Sequence, residues 1–303
     1  MTIARRRQIS LDHTPYYHCT SRCVRRAFLC GRDRYSGQDF EHRKQWLEER
    51  LILLSSVFAI DLLAYAVMSN HYHVVIRLDP EQAATWSEDE VIERWRTLYP
   101  KAPKEPQCTI VSIWRDRLAC LSWYMRSINE PMARRANRED RCKGRFWEGR
   151  FKSQALLDEA ALLKCMAYVD LNPVRAAIAR TPESSDHTSI KARVEGNDRH
   201  LMGFYADRSG HDVCIPMNRQ DYLLLVDWTG RAWRKGKRGS VPADTPSILA
   251  RLGHAPEDWI TEIRHYGKWY YRAVGSLQSL RRYCEHLGQQ WLKGVGQAQL
   301  MQG

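Results

Sequence analysis

Two histidines in one short segment have the spacing needed to bind a metal ion together. His71 and His73 lie one residue apart in the apolar segment "SNHYHVVIRL", which is typical of a β-strand. Because residues i and i+2 of a strand point to the same face, the two imidazoles project together and can chelate one divalent cation. The same pattern fits two polar residues on the exposed face of a half-buried strand, and alone it favours that simpler interpretation.

A tyrosine and an asparagine far downstream can complete such a site. Tyr168 and Asn172 lie four residues apart in "CMAYVDLNPVRA", so on a predicted helix they share a face. An amide oxygen can serve as a third metal ligand beside two histidines. A phenol is a weak nucleophile at neutral pH, but a bound metal can assist it by polarising a scissile phosphate. Taken alone, Tyr168 is better explained as a core aromatic of an amphipathic helix.

The order of the predicted elements indicates the fold that would position these residues. Strands are predicted over 16–25, 59–68, 71–78 and 144–154, and helices within 37–58, 115–136 and 158–172. Asp158 is the expected cap of the last helix, and Pro173 should stop or bend it. The order is typical of an α+β, ferredoxin-like fold, in which helices cover one face of an antiparallel sheet.

The sequence divides into two predicted domains, 1–200 and 201–303. The first carries an insertion at 79–113, which contains an acidic helical segment and a proline-punctuated linker. The second is basic, rich in Trp and Tyr, and predicted to be a mainly helical module that contacts DNA. The boundary between them falls within 190–215.

Composition and charge narrow the class of partner. The chain has 303 residues and a formal net charge of +12, which favours a polyanionic partner such as nucleic acid or an acidic membrane surface. No apolar run approaches the roughly 20 residues of a membrane span, and no signal peptide is evident. Nine scattered cysteines without a CxxC motif suit a cytoplasmic protein, which would be nucleoid-associated when bound to DNA. His18, Cys19, Cys23 and Cys30 fit no common zinc module.

The positive charge is concentrated in three runs, at 1–32, 131–154 and 231–239. Aromatic residues interleave with these runs, and this favours nucleic acid over lipid because aromatic rings can stack on bases. Any one run alone would fit a solvated face, Trp147 would fit a core position, and Arg175 would fit a helix C-terminal charge. The candidate DNA-binding residues are Arg5, Arg6, Arg7, Arg145, Trp147, Arg150, Lys152, Arg175, Arg234, Lys235, Lys237 and Arg238.

Several of these segments resemble one protein family. "NHYHVV" resembles the His-hydrophobic-His strand of the HUH endonucleases, and "YVDLNPVRA" resembles the tyrosine-helix motif of REP-associated tyrosine transposases and other single-tyrosine transposases. "SRCVRRAFLCG" and "GRFWEGRFKSQ" are also similar to stretches of that family. The resemblance covers roughly residues 10–195, and the tyrosine motif far downstream of the histidines is its most specific part.

The resemblance implies a ferredoxin-like HUH domain with a defined reaction. His71, His73 and Asn172 would bind Mg²⁺ or Mn²⁺, and Tyr168 would attack a DNA backbone phosphate. The products would be a 5′-phosphotyrosine link and a free 3′-OH, and reversal by another 3′-OH would transpose or recombine DNA. Single-stranded or hairpin DNA would be the partner of a monomer or homodimer. The resemblance leaves open whether Glu148 or Asp170 assists the metal.

The alternative is a non-catalytic nucleic-acid-binding protein, since ferredoxin-like sheets also serve as RNA-recognition platforms. In that case the histidines and Tyr168 would stack or hydrogen-bond without any chemistry. The sequence lacks the "K/R-G-F/Y-G/A-F-V" pattern of such platforms, and this counts against the alternative.

Overall fold

The fold is built on one five-stranded sheet. The computed structural model describes residues 8–24, 29–32, 37–205, 213–233 and 245–302. The strand order is β2-β3-β1-β4-β5, with antiparallel pairing except for β5, which runs parallel to β4. The order of the first four strands is that of a ferredoxin-like sheet, so the predicted α+β fold class is confirmed. The strands are β1 (Tyr16–Arg22), β2 (Ile60–Val67), β3 (His71–Leu78), β4 (Lys152–Leu156) and β5 (Ala273–Val274).

Helices follow the strands in the predicted order, and further helices fill the insertion and the C-terminal region. Those before β4 are α1 (His42–Val57), α2 (Pro80–Thr85), α3 (Glu88–Leu98), α4 (Cys108–Leu118) and α5 (Leu121–Glu139). Those between β4 and β5 are α6 (Glu159–Asp170), α7 (Asn172–Arg175), α8 (Ser189–Val194), α9 (Arg219–Trp233), α10 (Thr245–Arg251) and α11 (Pro256–Trp269). After β5 come α12 (Leu277–His286) and α13 (Val295–Gln302).

Helices cover both faces of the sheet, whereas the prediction placed them on one face. Tyr72, Val74 and Ile76 of β3 belong to a core that also contains residues of α1, α4 and α5, and we call this side the packing face. Val75 belongs to a second core with residues of α6, α9 and α11, and we call this side the histidine face because it carries His73. Successive residues of β3 point to opposite faces of the sheet, and most of them are buried. Each face therefore requires a layer of apolar residues to cover it.

Two predicted elements differ in detail from the structure. The helix predicted over 115–136 is broken into α4 and α5, because the Leu118 carbonyl accepts a hydrogen bond from the Ala59 amide at 3.0 Å and Cys120 is extended. The strand predicted over 144–154 is regular only from Lys152, and the preceding part is irregular apart from an isolated bridge between Trp147 and Cys23.

The C-terminal region contacts the rest of the chain directly. β5 extends the sheet beside β4, and α11 packs on α6. Lys164 of α6 and Glu262 of α11 form a buried ion pair between them. Described residues of the C-terminal region therefore form part of the layer that covers the histidine face.

Candidate active site

The register of the three central strands gathers polar side chains on the histidine face. Thr20 of β1 pairs with His73 of β3, and His18 pairs with Val75 on one side and with Gln154 of β4 on the other. Directly paired residues of an antiparallel sheet project to the same face. His18, Thr20, His73 and Gln154 therefore form one polar cluster, and His18 and Gln154 were not among the predicted site residues.

His71 and His73 lie side by side, as their spacing predicts. Their ring centroids are 4.8 Å apart, and His73 is buried while His71 is partly exposed. The Nδ1 of His71 lies 2.6 Å from the Asn70 side-chain oxygen. An amide oxygen can only accept, so Nδ1 of His71 carries the proton and its Nε2 keeps a lone pair. His71 therefore presents a nitrogen suited to binding a cation.

Burial keeps these imidazoles neutral. Desolvation is the largest cause of lowered pKa values: the pKa of His18 falls to about 4, and that of His73 falls well below its usual range. The pKa of His71 also falls to about 4, first through burial and then through the positive charge of Arg22. Neutral imidazole is the form that binds metals, so the cluster is held in the ligating state at physiological pH.

Tyr168 reaches the cluster from the helix above it. Asp158 caps α6 as predicted, accepting a hydrogen bond from the Ala161 amide at 2.9 Å. The ring centroid of Tyr168 lies 5.9 Å from that of His73 and 6.2 Å from that of His18. The helix places the phenol over the histidines rather than in a purely apolar core.

Asn172 and Arg175 complete the surroundings of the tyrosine. The chain bends after α6, and Asn172 at the start of α7 places its Nδ2 3.2 Å from Nε2 of His73. The guanidinium carbon of Arg175 lies 4.4 Å from the ring centroid of Tyr168, which is within the range of a cation–π contact. The two motif residues that follow the tyrosine thus face the histidine and the phenol respectively.

Helix α11 covers the tyrosine from the other side. Tyr266 stacks on Tyr168 with ring centroids 4.5 Å apart, and Tyr168 is only 9% exposed. Gly267 faces the phenolic oxygen, where an added Cβ would come within 3.0 Å of it. Glycine at 267 therefore provides the space that the hydroxyl occupies. Neither residue of α11 was predicted, since both depend on the packing of the C-terminal region.

The candidate metal-binding atoms at this site are all uncharged. His71 and His73 offer neutral nitrogens, and Asn172 offers an amide whose oxygen must turn towards His73 to serve as a ligand. Within the described part of the chain, no group of three or more His, Cys, Asp or Glu side chains is arranged to bind a metal. Two imidazoles and an amide are the candidate donors that this site offers.

Asp170 lies in the tyrosine helix but faces away from the histidines. Its carboxylate accepts hydrogen bonds from Ser189 and Tyr222, and it is fully buried. Burial raises its pKa to about 6, against the lowering effect of those hydrogen bonds. The carboxylate therefore serves the contacts between α6, α8 and α9. Glu148 is exposed in the irregular segment before β4.

The predicted DNA-binding residues other than Arg175, which contacts the Tyr168 ring, divide into three groups. Arg145, Arg150 and Lys152 are exposed, but only Lys152 lies on a strand, so placing all of them on the fourth strand was wrong. Trp147 is half-buried, and its indole nitrogen donates to the Asn129 carbonyl at 2.8 Å, so the ring is anchored in place. The remaining candidates lie outside the described residues: Arg5, Arg6, Arg7, Arg234, Lys235, Lys237 and Arg238.

Comparisons with known proteins gave one structural similarity. No family model matches the chain, and no curated protein is significantly similar to it. A solved structure of a REP-associated tyrosine transposase bound to a REP hairpin superposes with a TM-score of 0.41 at 15% identity, covering 70% of this chain and 94% of that one. This is the family that the sequence motifs resemble. At these values the similarity assigns neither an activity nor a residue role.

None of the described helices has both the length and the apolar composition required to cross a membrane.

Proposed function

We propose that the chain is a metal-dependent nuclease and strand transferase that acts on single-stranded or hairpin DNA through Tyr168. The main support is that His73 and Tyr168, far apart in sequence, have ring centroids 5.9 Å apart on one face of the sheet. Asn172 and Arg175 contact the same two rings. A core aromatic would need none of these polar neighbours.

The reaction would be a transesterification at a backbone phosphate. A Mg²⁺ or Mn²⁺ ion held by His71, His73 and Asn172 would polarise the phosphate and offset charge on its non-bridging oxygens. The Tyr168 oxygen would form a bond to phosphorus while the bond to the 3′ oxygen breaks, with net transfer of the phenolic proton to that oxygen. Arg175 lies over the tyrosine ring in a cation–π contact, which would help to hold the phenol in place.

The segment before β4 is proposed to hold the DNA backbone. The Glu148 amide donates to the Arg22 carbonyl at 2.8 Å, and Arg22 is the register partner of His71. The exposed Arg145 and Arg150 of this segment therefore border the end of the sheet at which His71 lies. Side chains there would contact phosphates by charge, independently of base sequence.

The alternative, a non-catalytic RNA-recognition-like sheet, receives less support. Such platforms bind bases on an open sheet face. Here the described residues bury both faces of the sheet, the packing face under α1 and α5 and the histidine face under α6 and α11. Little sheet surface therefore remains on which bases could stack.

A covalent-adduct assay tests the proposal. The purified protein would be incubated with end-labelled single-stranded hairpin DNA and Mn²⁺, then separated on a denaturing gel. We expect an SDS-resistant adduct that disappears with Tyr168→Phe and with His71→Ala. Tyr271→Phe is the matched control, because this tyrosine is 56% exposed and open to adventitious attack.

The outcomes separate the two functions. An adduct lost only with Tyr168→Phe and the histidine variant supports the nuclease. Intact DNA binding with no adduct across a varied hairpin library would contradict it and favour the binding protein. An adduct that persists in Tyr168→Phe would show that another residue is the nucleophile.

A further inference from the structure

A continuous chain of hydrogen bonds runs beneath the histidine face. The Tyr266 hydroxyl lies 2.8 Å from Oε1 of Gln154, and Nδ1 of His18 lies 3.2 Å from the same oxygen. Nε2 of His18 lies 2.8 Å from Nδ1 of His73. At the far end, Nε2 of His73 lies 3.2 Å from Nδ2 of Asn172. All five side chains are buried, so these contacts are shielded from water.

The proton positions along this chain follow from the contacts of Gln154. An amide oxygen only accepts, so Nδ1 of His18 must donate to Gln154. A neutral imidazole carries one N–H and one lone pair, so Nε2 of His18 accepts, and Nδ1 of His73 must be the donor to it. This leaves the lone pair of His73 on Nε2, where the Asn172 amide nitrogen can donate to it. The hydrogen bonds from Asn172 to Gln154 therefore all run in one direction, and the Tyr266 hydroxyl donates to the same Gln154 oxygen from the other side.

We infer that His18 and Gln154 are positioning residues that fix the tautomer of His73, so that its Nε2 keeps the lone pair on the side of Tyr168 and Asn172. The inference rests on the proposed function, because that nitrogen is the one proposed to bind the metal. Ligating histidines generally have their second ring nitrogen held by a hydrogen-bond partner, and loss of such a partner weakens metal binding.

The opposite proton arrangement would prevent His73 from binding a metal through Nε2. If Nε2 of His18 donated instead, His73 would carry its proton on Nε2 and could not ligate a cation through that nitrogen. Thr20 cannot decide between the two directions, because its hydroxyl can donate or accept. It lies 3.2 Å from Nδ1 of His73 and 3.4 Å from Nε2 of His18. The direction is therefore set at Gln154, which presents an oxygen to both Tyr266 and His18.

The tautomers can be read directly on the metal-free protein. Long-range ¹H–¹⁵N NMR of histidine-labelled protein distinguishes a protonated ring nitrogen from one with a lone pair. His73 would be assigned with the His73→Ala variant. We expect wild-type His73 to be protonated at Nδ1 alone. Protonation at Nε2 would overturn the inference without any need for a variant to fold.

Two variants then test the source of the preference. Gln154→Leu removes the acceptor and should convert His73 to a mixture of tautomers. We expect its Mn²⁺ affinity, measured by the EPR signal of free Mn²⁺ in a MnCl₂ titration, to fall by about 10- to 100-fold. Thr20→Val is the matched control, since it removes a hydroxyl 3.2 Å from Nδ1 of His73 but keeps the Gln154 acceptor. It should preserve both the tautomer and the affinity.

The readouts separate this inference from the proposed function. A single Nδ1–H tautomer in Gln154→Leu would overturn the role of Gln154, whatever the metal affinity. A wild-type protein with the expected tautomer that does not bind Mn²⁺ would contradict the proposed metal site. In that case the hydrogen-bond chain stands but the function assigned to it fails.

Discussion

The two faces of β3 differ in the kind of contact that their residues make. On the packing face, Tyr72, Val74 and Ile76 are fully buried against apolar residues of the surrounding helices. The one polar group among them, the Tyr72 hydroxyl, donates to the Asn129 side chain at 2.8 Å. On the histidine face, His73 is also buried, but each of its ring nitrogens contacts a polar side chain.

The difference shows what each face requires of its residues. Apolar contacts are non-directional, so the packing face depends mainly on volume and shape. A buried polar group costs free energy unless its hydrogen bonds are made, so the histidine face depends on specific donors and acceptors. Substitutions on the packing face should therefore change stability alone, whereas those on the histidine face should also change the chemistry of the site.

The largest loss of stability is expected at the ion pair between α6 and α11. Lys164 and Glu262 are almost fully buried, and the Tyr270 hydroxyl also donates to Glu262 at 2.8 Å. Lys164→Met would leave a buried carboxylate without its cation, so we expect the free energy of unfolding in urea to fall by about 3–5 kcal/mol.

The double variant Lys164→Met with Glu262→Met provides the control for that prediction. Replacing a whole buried ion pair by apolar side chains is often close to neutral, so the double variant should recover most of the lost stability. A single variant as stable as wild type would mean that the pair contributes nothing to the attachment of α11.

A core substitution on the packing face should have a comparable effect on stability and none on the site. Leu51 of α1 is fully buried in this core. Leu51→Ala removes apolar contacts and leaves a cavity, so the free energy of unfolding should fall by about 2–5 kcal/mol. Mn²⁺ affinity, measured where the variant remains folded, should be unchanged. A weaker affinity would mean that the two faces are coupled through the sheet.

The central fold was predictable because its elements carry local signals. The alternation of β3 and the Asp158 cap of α6 both appear in the sequence and in the structure. The break between α4 and α5 was not predictable in this way. It depends on a hydrogen bond from Ala59, which is remote in sequence, and no proline or glycine marks it. Tertiary contacts override helix propensity at that point.

The candidate site was predictable only where a motif carried it. His71, His73, Tyr168 and Asn172 were suggested by their spacing and selected by the resemblance of their segments to one family, and their rings and amide do lie together. His18 was missed, although strand alternation could have placed it with Thr20 on one face. The position of His18 beside His73 and Gln154 depends on the register that pairs β1 with β3 and β4. Register is a property of the assembled sheet.

The pH dependence of metal binding should distinguish buried from exposed histidines. The pKa of His71 is lowered to about 4, chiefly by burial, and that of His73 falls well below its usual range. Both rings are therefore unprotonated above about pH 5, so Mn²⁺ affinity should be nearly constant from pH 8 to pH 6. It should fall only as the pH approaches 4 and protons compete for the ring nitrogens.

An isothermal titration series at fixed ionic strength measures this. Ordinary exposed histidines titrate near pH 6.5, so a site built from them would lose affinity between pH 7 and pH 6. A loss in that range would contradict the burial of both ligands.

The smallest effect is expected for a side chain that would contact DNA through its charge alone. Arg145 is exposed in the segment that borders the His71 end of the sheet, and Arg145→Gln should remove about one phosphate contact. DNA affinity should fall to a similar degree for all sequences, and the slope of log affinity against log salt should decrease by about one. The yield of covalent adduct at saturating DNA should not change.

Lys101→Gln supplies the matched control for Arg145. Lys101 is also exposed, but it lies in the insertion, next to Ala102, which packs against the core of the packing face. Its loss should leave the salt slope unchanged, because DNA would approach from the His71 end of the sheet. Equal slopes for both variants would mean that the charge of the whole surface, rather than the segment before β4, attracts the DNA.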